Sequence, residues 1–497
     1  MTTSVSLAAI DLGAGSGRVQ RFDFDGEILS AVDQRRFDNP ATVSGGALRW
    51  NTSALWEDIA DAILGLDAAT VAGFASVGAD TWGLDSVLLR ADGSLVEEPI
   101  CYRDPRQLRG RARAFAAVGA RRIHDETGAH LLAGNAVFGW SDMASAPGAF
   151  DDIDAVLMIA DHLHSRLSGA RVAEASIAST SGAIDMRTGD WSRGLLEDLG
   201  IPLRILPELV PAGTDLGPVT GIAGIRPSTR VIAPASHDTA SAVLGTPDMD
   251  DRSVFISSGT WSLVGMNRPE AVISDVTFAE SLTNETTARG TVRLLQNVMG
   301  LWLLQECRRE WRAEGRDLDY SEMVEAARAV PPLSCVIDAN DPSLLSKGDM
   351  LSRIRALAGA SGGVVPQTVG EVVRCVLDSL AVSYRLATDG LRQATGVAPK
   401  VIRVSGGGTL NALLQQATAD ATGLPVVAGP IEATALGNAA MQLRGLGEIS
   451  SDDEIAQVIA RSVSTVVYDP QTDARWDAAA AAVSRNRLSS RSQAAVA

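Results

Sequence analysis

One carboxylate stands out by its surroundings. Asp238, in the triplet His237-Asp238-Thr239, follows a short apolar run and opens a segment of small residues. Placed there it could take a proton from a hydroxyl group attacking phosphorus, a role worth ~10² to 10⁴ in rate. Upstream, an apolar run ends in Asp11-Leu12-Gly13-Ala14-Gly15-Ser16-Gly17-Arg18. Downstream lie Ser257-Ser258-Gly259-Thr260-Trp261-Ser262 and Ser405-Gly406-Gly407-Gly408. Small residues let consecutive backbone amides point at an anion. Phosphoryl transfer needs such amides, a base and a divalent cation, which Asp11 could bind directly or through water.

Each feature alone has a plainer reading. Asp238 could cap a helix or join an ion pair, and Asp11 could bond its own turn. His237 could be an ordinary packed histidine. Gly259-Thr260 could be a simple hairpin. Gly406-Gly407-Gly408 could be a tight strand-to-helix turn, or a place where backbone meets a flat adenosine closely. Trp82 stands between Asp80 and Asp85; it could be core, or an aromatic sugar-binding face. Asn297, before a helix expected over Val298–Trp311, could bond a sugar hydroxyl or cap that helix. Glu97-Glu98 reads as a solvated turn.

The elements that must position these residues follow from periodicity. Val5–Ile10 reads as a buried strand, and Val19–Phe24 alternates like a half-buried one. Asp11–Arg18 therefore joins two strands, whereas a dinucleotide fingerprint would open a helix. That disfavours a dehydrogenase. A meander of this kind begins the actin-like and ribonuclease-H-like folds. Ser53–Leu66 has helical spacing, and Phe74–Gly78 is strand-like. Helices are expected over Arg106–Thr127, Asp152–Leu167 and Ser236–Leu244, with a strand at Val231–Ala235. Ser253–Ser257, a turn and Trp261–Met266 echo the first hairpin. Thr368 to Glu371 forms a capping box ahead of a long helix that Gly396 ends. Val401–Val404 is a strand and Leu410–Thr422 a helix.

At 497 residues two domains are expected. The boundaries fall at 1–246, 247–477 and a tail, 478–497, expected as a helix followed by disorder. The formal net charge of -17 disfavours a nucleic-acid partner, whose phosphates demand clustered Lys and Arg. The cysteines at 101, 307, 335 and 375 are scattered without a C-x-x-C pair, so buried free thiols are expected. The first ten residues carry no basic region, and no apolar run approaches a membrane span. A cytoplasmic protein is expected, a monomer or homodimer, with no membrane partner.

Together these motifs resemble the FGGY carbohydrate kinases. The carriers are Asp11–Arg18, Asp80–Asp85, Tyr102-Arg103-Asp104, Ala235–Val243, Ser257–Leu263, Asn297–Gln305 and Gly429–Asn438, in family order. The resemblance implies an α/β fold of two actin-like (ribonuclease H-like) domains with an interdomain active-site cleft. It puts Asp238 on the catalytic base. It puts Gly83, His237, Asp238, Thr239 and Asn297 on sugar positions, and Ala14, Gly15, Ser16, Gly17, Arg18, Thr260, Gln305 and Gly407 on nucleotide positions. The implied cofactors are ATP and Mg²⁺. The implied reaction is phosphorylation of the C1 hydroxyl of L-rhamnulose, with L-fuculose or a pentulose as alternatives, and a non-catalytic actin-like binding protein behind them. Two positions depart from the family pattern: Ala136 after Asn135, and Ile177 where an Asn is usual.

Overall fold

The computed structural model describes residues 4–496. The chain folds into two compact units, neither continuous in sequence. Unit 1 gathers Met1–Asp248, Asn267–Leu294 and Glu432–Val463; unit 2 gathers Met249–Met266, Leu295–Ile431 and Ser464–Ala497.

Unit 1 is built on six strands: β1 (Val5–Leu12), β2 (Ser16–Phe24), β3 (Leu29–Asp38), β4 (Ser76–Thr81), β5 (Thr214–Pro218) and β6 (Arg230–Ala233), in the order β5-β6-β4-β1-β2-β3. β1, β2 and β3 form the expected antiparallel meander, and β4 runs parallel to β1. Both faces of β1 are covered, as its unbroken apolar run requires. Ala8, Ile10 and Leu12 share a core with Ile59, Ile63 and Leu66 of α1 (Thr52–Asp67). Leu7 and Ala9 turn the other way, to Leu436, Ala439, Ala440 and Leu443 of the Ala433–Leu446 helix. The sheet thus delivers Asp11, near the end of β1, beside Asp80 of β4, its register partner.

α2 (Asp238–Leu244) starts two residues later than expected, because Ser236 and His237 are extended. It is locked onto the Ala433–Leu446 helix by two glycines. A Cβ on Gly437 would lie 1.9 Å from the Ser241 carbonyl oxygen, and one on Gly245 would lie 2.1 Å from that of Ala433. Only glycine allows two backbones this close.

In unit 2, β7 (Ser253–Ser258) pairs antiparallel with β8 (Trp261–Arg268) and parallel with β9 (Val401–Ser405). β1 has the same two kinds of neighbour, so the echo between halves is structural. β10 (Val426–Ala428) continues the sheet parallel to β9, and β11 (Val466–Tyr468) closes it antiparallel. The long helix Val369–Thr395 carries the full capping box at Thr368 and ends at left-handed Gly396.

Four expectations change. Arg106–Thr127 is two helices, parted at Gly119, whose φ is 82°. Asp152–Leu167 begins as the strand Ala155–Met158 and becomes a helix only at Ile159. The helix expected from Val298 starts at Trp302, and Val292–Met299 is a strand. Short buried apolar runs carry no period that separates strand from helix. The tail, expected to pass from helix to disorder, is helical over Arg475–Val496. No described helix is long and apolar enough to cross a membrane. All four cysteines are free and buried.

Candidate active site

Asp238 is the first residue of α2, and about a third of its side chain is exposed. It caps nothing: the N-cap is His237, which makes no side-chain cap bond. Asp238 Oδ1 accepts from Thr239 Oγ1 at 3.0 Å and lies 2.9 Å from His237 Nδ1.

The turn that carries it is held by backbone bonds from several directions. Ser236 N donates to Glu174 Oε2 at 3.0 Å, and His237 N to Ser176 Oγ at 3.1 Å. Thr81 N donates to the Ser236 carbonyl, and Ser241 Oγ to that of Ala235. Glu174 also caps the short helix Ala175–Ala178 and is fully buried, so burial raises its pKa, with Ser176 opposing. Glu174 and Ser176 had no role in the sequence reading. An acid directly ahead of a run of small and hydroxyl residues was the available signal.

Gly83 is explained by the same stretch. A Cβ there would lie 2.8 Å from Thr180 Oγ1. The next residue, Leu84, has a φ of 81°, left-handed for a residue with a branched side chain, and its N–H is held by Thr180 Oγ1 at 3.0 Å. Such a conformation costs on the order of 1–3 kcal/mol, and its surroundings must impose it.

Asp11 and Asp80 form a second acidic centre. Arg18 donates to Asp11 Oδ2 from Nε at 3.0 Å and Nη2 at 2.5 Å, and pairs through Nη1 with Glu432. Asp80 Oδ2 accepts from Asn438 Nδ2 at 2.6 Å, and Gln442 holds Asn438 Oδ1 at 2.7 Å. Burial raises the pKa of Asp11, against Arg18; burial and then Asp11 push Asp80 well above the carboxylate range. Asp238 adds to both. Asp80 Oδ1 is buried with no hydrogen-bond partner. This concentration of negative charge with one oxygen unmatched fits a cation. Among the described residues no group of three His, Cys, Asp or Glu side chains could hold one, so water and substrate oxygens would have to complete its shell. Asn438 and Gln442, four apart on an alanine-rich helix, were the legible sign of this support.

The glycine loop between β1 and β2 joins two strands as expected, but without the expected amide arrangement. None of Gly13, Gly15 and Gly17 has positive φ, so the loop is a hairpin closed by Gly13 N on the Ser16 carbonyl at 2.9 Å, and no alternating anion nest. Gly17 is required by packing, since a Cβ would meet the Phe37 ring at 2.4 Å. Ala14, Gly15 and Ser16 form the tip, where Gly15 and Ser16 are exposed. Trp82 is a correction too. It is buried, its ring centroid lies 4.5 Å from that of Trp50, and both indole N–H groups donate to Asp85 Oδ2. Asp85 is itself buried, which raises its pKa to about 7 against those two donors. The pair is core, and no sugar-stacking face. Glu98, read as a solvated turn, accepts from N and Oγ of Thr52 and Ser53 at the start of α1.

In unit 2 the loop between β7 and β8 exposes Gly259 and Thr260. Their carbonyls accept from Leu301 N and Trp302 N at the start of the Trp302–Ala313 helix, and Gln305 Nε2 reaches Thr260 Oγ1 at 3.4 Å. Gly406, at φ 88°, passes over Ser258, and Gly408 packs so closely that a Cβ would lie 2.0 Å from Ser258 Oγ. Gly407 between them is exposed with nothing within 4 Å of its Cβ position. Asn297 sits inside a strand, half-buried, and cannot cap a helix.

Residues 6–245 match the N-terminal domain of the FGGY family of carbohydrate kinases, and residues 254–446 match its C-terminal domain. The chain belongs to this family. It is 36% identical over 479 residues to a rhamnulokinase from Bacteroides thetaiotaomicron, covering 95% of this chain and 97% of that protein. It is 36% identical over 469 residues to a rhamnulokinase from Enterococcus faecalis, covering 93% of each. Its fold is that of a xylulose kinase from Rhodospirillum rubrum (TM-score 0.80, 18% identity, 97% of this chain and 98% of that one). It is also that of a Plasmodium falciparum glycerol kinase solved with ADP (TM-score 0.78, 17% identity, 99% and 100%). The two-domain α/β kinase fold and the carbohydrate kinase activity class are thereby established.

Proposed function

We propose that this kinase transfers the γ-phosphoryl group of ATP to the C1 hydroxyl of L-rhamnulose, giving L-rhamnulose 1-phosphate and ADP. The observation that carries the chemistry is the Asp238 carboxylate, partly open to solvent on a turn fixed by Glu174, Ser176 and Thr81. Asp238 accepts the hydroxyl proton as O1 forms its bond to the γ-phosphorus and the bond to the β-γ bridging oxygen breaks. Positioning and charge stabilisation supply most of the catalysis in such a transfer.

Gly83, Thr239 and Asn297 are the proposed sugar contacts beside Asp238, with His237 orienting the base and Trp82 supporting the wall through Asp85. The nucleotide falls to the tip residues Ala14, Gly15 and Ser16, to Gly17 and Arg18 behind them, and to Thr260, Gln305, Gly406 and Gly407. Mg²⁺ would be held by Asp11 through water, with Asp80 beside it, and when bound neutralises phosphate charge. Arg18 then sets how much of Asp11 is free for that task.

The choice of L-rhamnulose rests on the rhamnulokinase relatives, and the two departures are the positions at which another ketose would be distinguished. Ile177 packs with Met158 and Ala160, and Ala136 lies in the core of Phe138 and Trp140. Both side chains are apolar and buried. Initial rates of ADP release with L-rhamnulose, L-fuculose and a pentulose test the reading, with the phosphate position read by NMR. L-Rhamnulose should give the highest kcat/KM and a product phosphorylated at O1. ADP release unaffected by every ketose would sink it.

A further inference from the structure

The His237 ring lies between two carboxylates. Nδ1 is 2.9 Å from Asp238 Oδ1, off the line of a hydrogen bond, and Nε2 is 3.4 Å from Glu285 Oε2. Glu285 Oε2 also takes both Nε and Nη2 of Arg293, at 3.1 and 2.7 Å. The Arg293 side chain is wholly buried and that of Glu285 nearly so. Carboxylate, imidazole, carboxylate and guanidinium therefore alternate through the interior to the half-buried base. A buried charge is retained only where partners compensate it.

Glu285 comes from the short strand Thr283–Thr286 and Arg293 from the neighbouring segment Val292–Met299. The same short strand is tied to the stretch that holds the catalytic turn: Thr286 N donates to Ser179 Oγ at 2.9 Å. Backbone and side chain of residue 237 are thus referred to one body. Asp238 is half-buried and opens a helix at the edge of this network. Its Oδ1 accepts from Thr239 and lies against the His237 ring, which leaves Oδ2 for an incoming hydroxyl.

We propose that Glu285, anchored by Arg293, is a positioning residue for phosphoryl transfer: it fixes the His237 ring so that the ring holds Asp238 Oδ1 and turns Oδ2 toward the sugar hydroxyl. This rests on the reading of Asp238 as the base. The electrostatics agree. Burial opposes charge on His237, but Asp238 and Glu285 outweigh it and raise its pKa to about 9. Burial likewise opposes charge on Glu285, but Arg293 and His237 bring it down to about 2. Without Glu285, Nε2 has no anchor among these groups, and the ring can turn away from Asp238.

Steady-state kinetics on the full chain test this, with wild type, Glu285→Gln, Glu285→Asp, His237→Gln and the double variant Glu285→Gln/His237→Gln. Misplacing a reacting group by about 1 Å costs on the order of 10²-fold. Glu285→Gln should lower kcat about 10- to 100-fold by that argument, with the KM for ATP unchanged, and Glu285→Asp should recover part of the loss. The double variant should be no slower than His237→Gln alone. If Glu285→Gln fails to fold because Arg293 is left as an unpaired buried charge, Glu285→Gln/Arg293→Met removes that charge and should show the same kcat loss. An active wild type with kcat of either Glu285 variant set within about twofold of it overturns the proposal, as do losses that multiply in the double variant. A wild type inactive on every ketose overturns the kinase reading, and this inference with it.

Discussion

Unit 1 gathers paired charged side chains, whereas unit 2 offers bare backbone. In unit 1 Asp11, Arg18, Asp80, His237, Asp238 and Glu285 are paired with one another or with buried amides. In unit 2 the exposed features are Gly259, Thr260 and Gly407, shaped by Ser258 and the start of a helix. At these residues removing a group is therefore the damaging change in the first unit, and adding one is the damaging change in the second.

The largest expected effect is Asp238→Asn, which should cut kcat by ~10² to 10⁴ with nucleotide affinity and melting temperature unchanged. Stopped-assay kinetics and a melting curve measure both, and near-normal turnover would remove Asp238 from the mechanism. Gly408→Val comes next. Its side chain would collide with Ser258, so a loss of about 3 kcal/mol or more in unfolding free energy is expected from overpacking. Chemical denaturation reads it, and a fully stable variant would show the loop to be slack.

Gly407→Val sharpens the contrast, because its Cβ position is empty. Stability should hold while the KM for ATP rises about tenfold, equivalent to about 1.4 kcal/mol. An unchanged KM places the nucleotide elsewhere. A pH-dependent contrast belongs to Asp85, whose pKa of about 7 exceeds its unfolded value. A raised carboxyl binds more protons folded than unfolded between about pH 4 and 7, so its contribution to stability falls as pH rises through that window. Asp85→Asn keeps an oxygen for the two tryptophans and loses the titration. The wild-type melting temperature should decline relative to the variant between pH 4 and 7, and parallel profiles would refute the assignment.

How much of this was legible in the sequence depended on the kind of signal. The β1–β2 hairpin, the long capped helix and the candidate base were readable because alternation, capping residues and small-residue runs are local. The Val292–Met299 strand was not, since its apolar run suits a helix equally well. Trp82 misled for a different reason: proximity in sequence to Asp80 and Asp85 suggested one site, but the strand ends at Thr81 and the turn after it carries Trp82 and Asp85 elsewhere. Asp80 turned to Asn438, and Asp85 to two indoles. The approach of Glu285 to His237, and of its strand to Ser179, joins distant parts of the chain, and for such contacts a single sequence has no local mark. The glycines show the same limit. Nothing local marks Gly437 and Gly245 as the places where one helix backbone touches another.

The discontinuity of unit 1 bears on how the molecule comes into being. A ribosome delivers β1, β4 and α2 early, but the helix that supports Asp80 and clasps α2 is not translated until residues 433–446. Nascent chains shorter than that carry an unfinished acidic centre and an uncovered sheet face, the kind of surface that invites chaperones. Completion of the scaffold around Asp80 and α2 accordingly waits on a helix far downstream of α2.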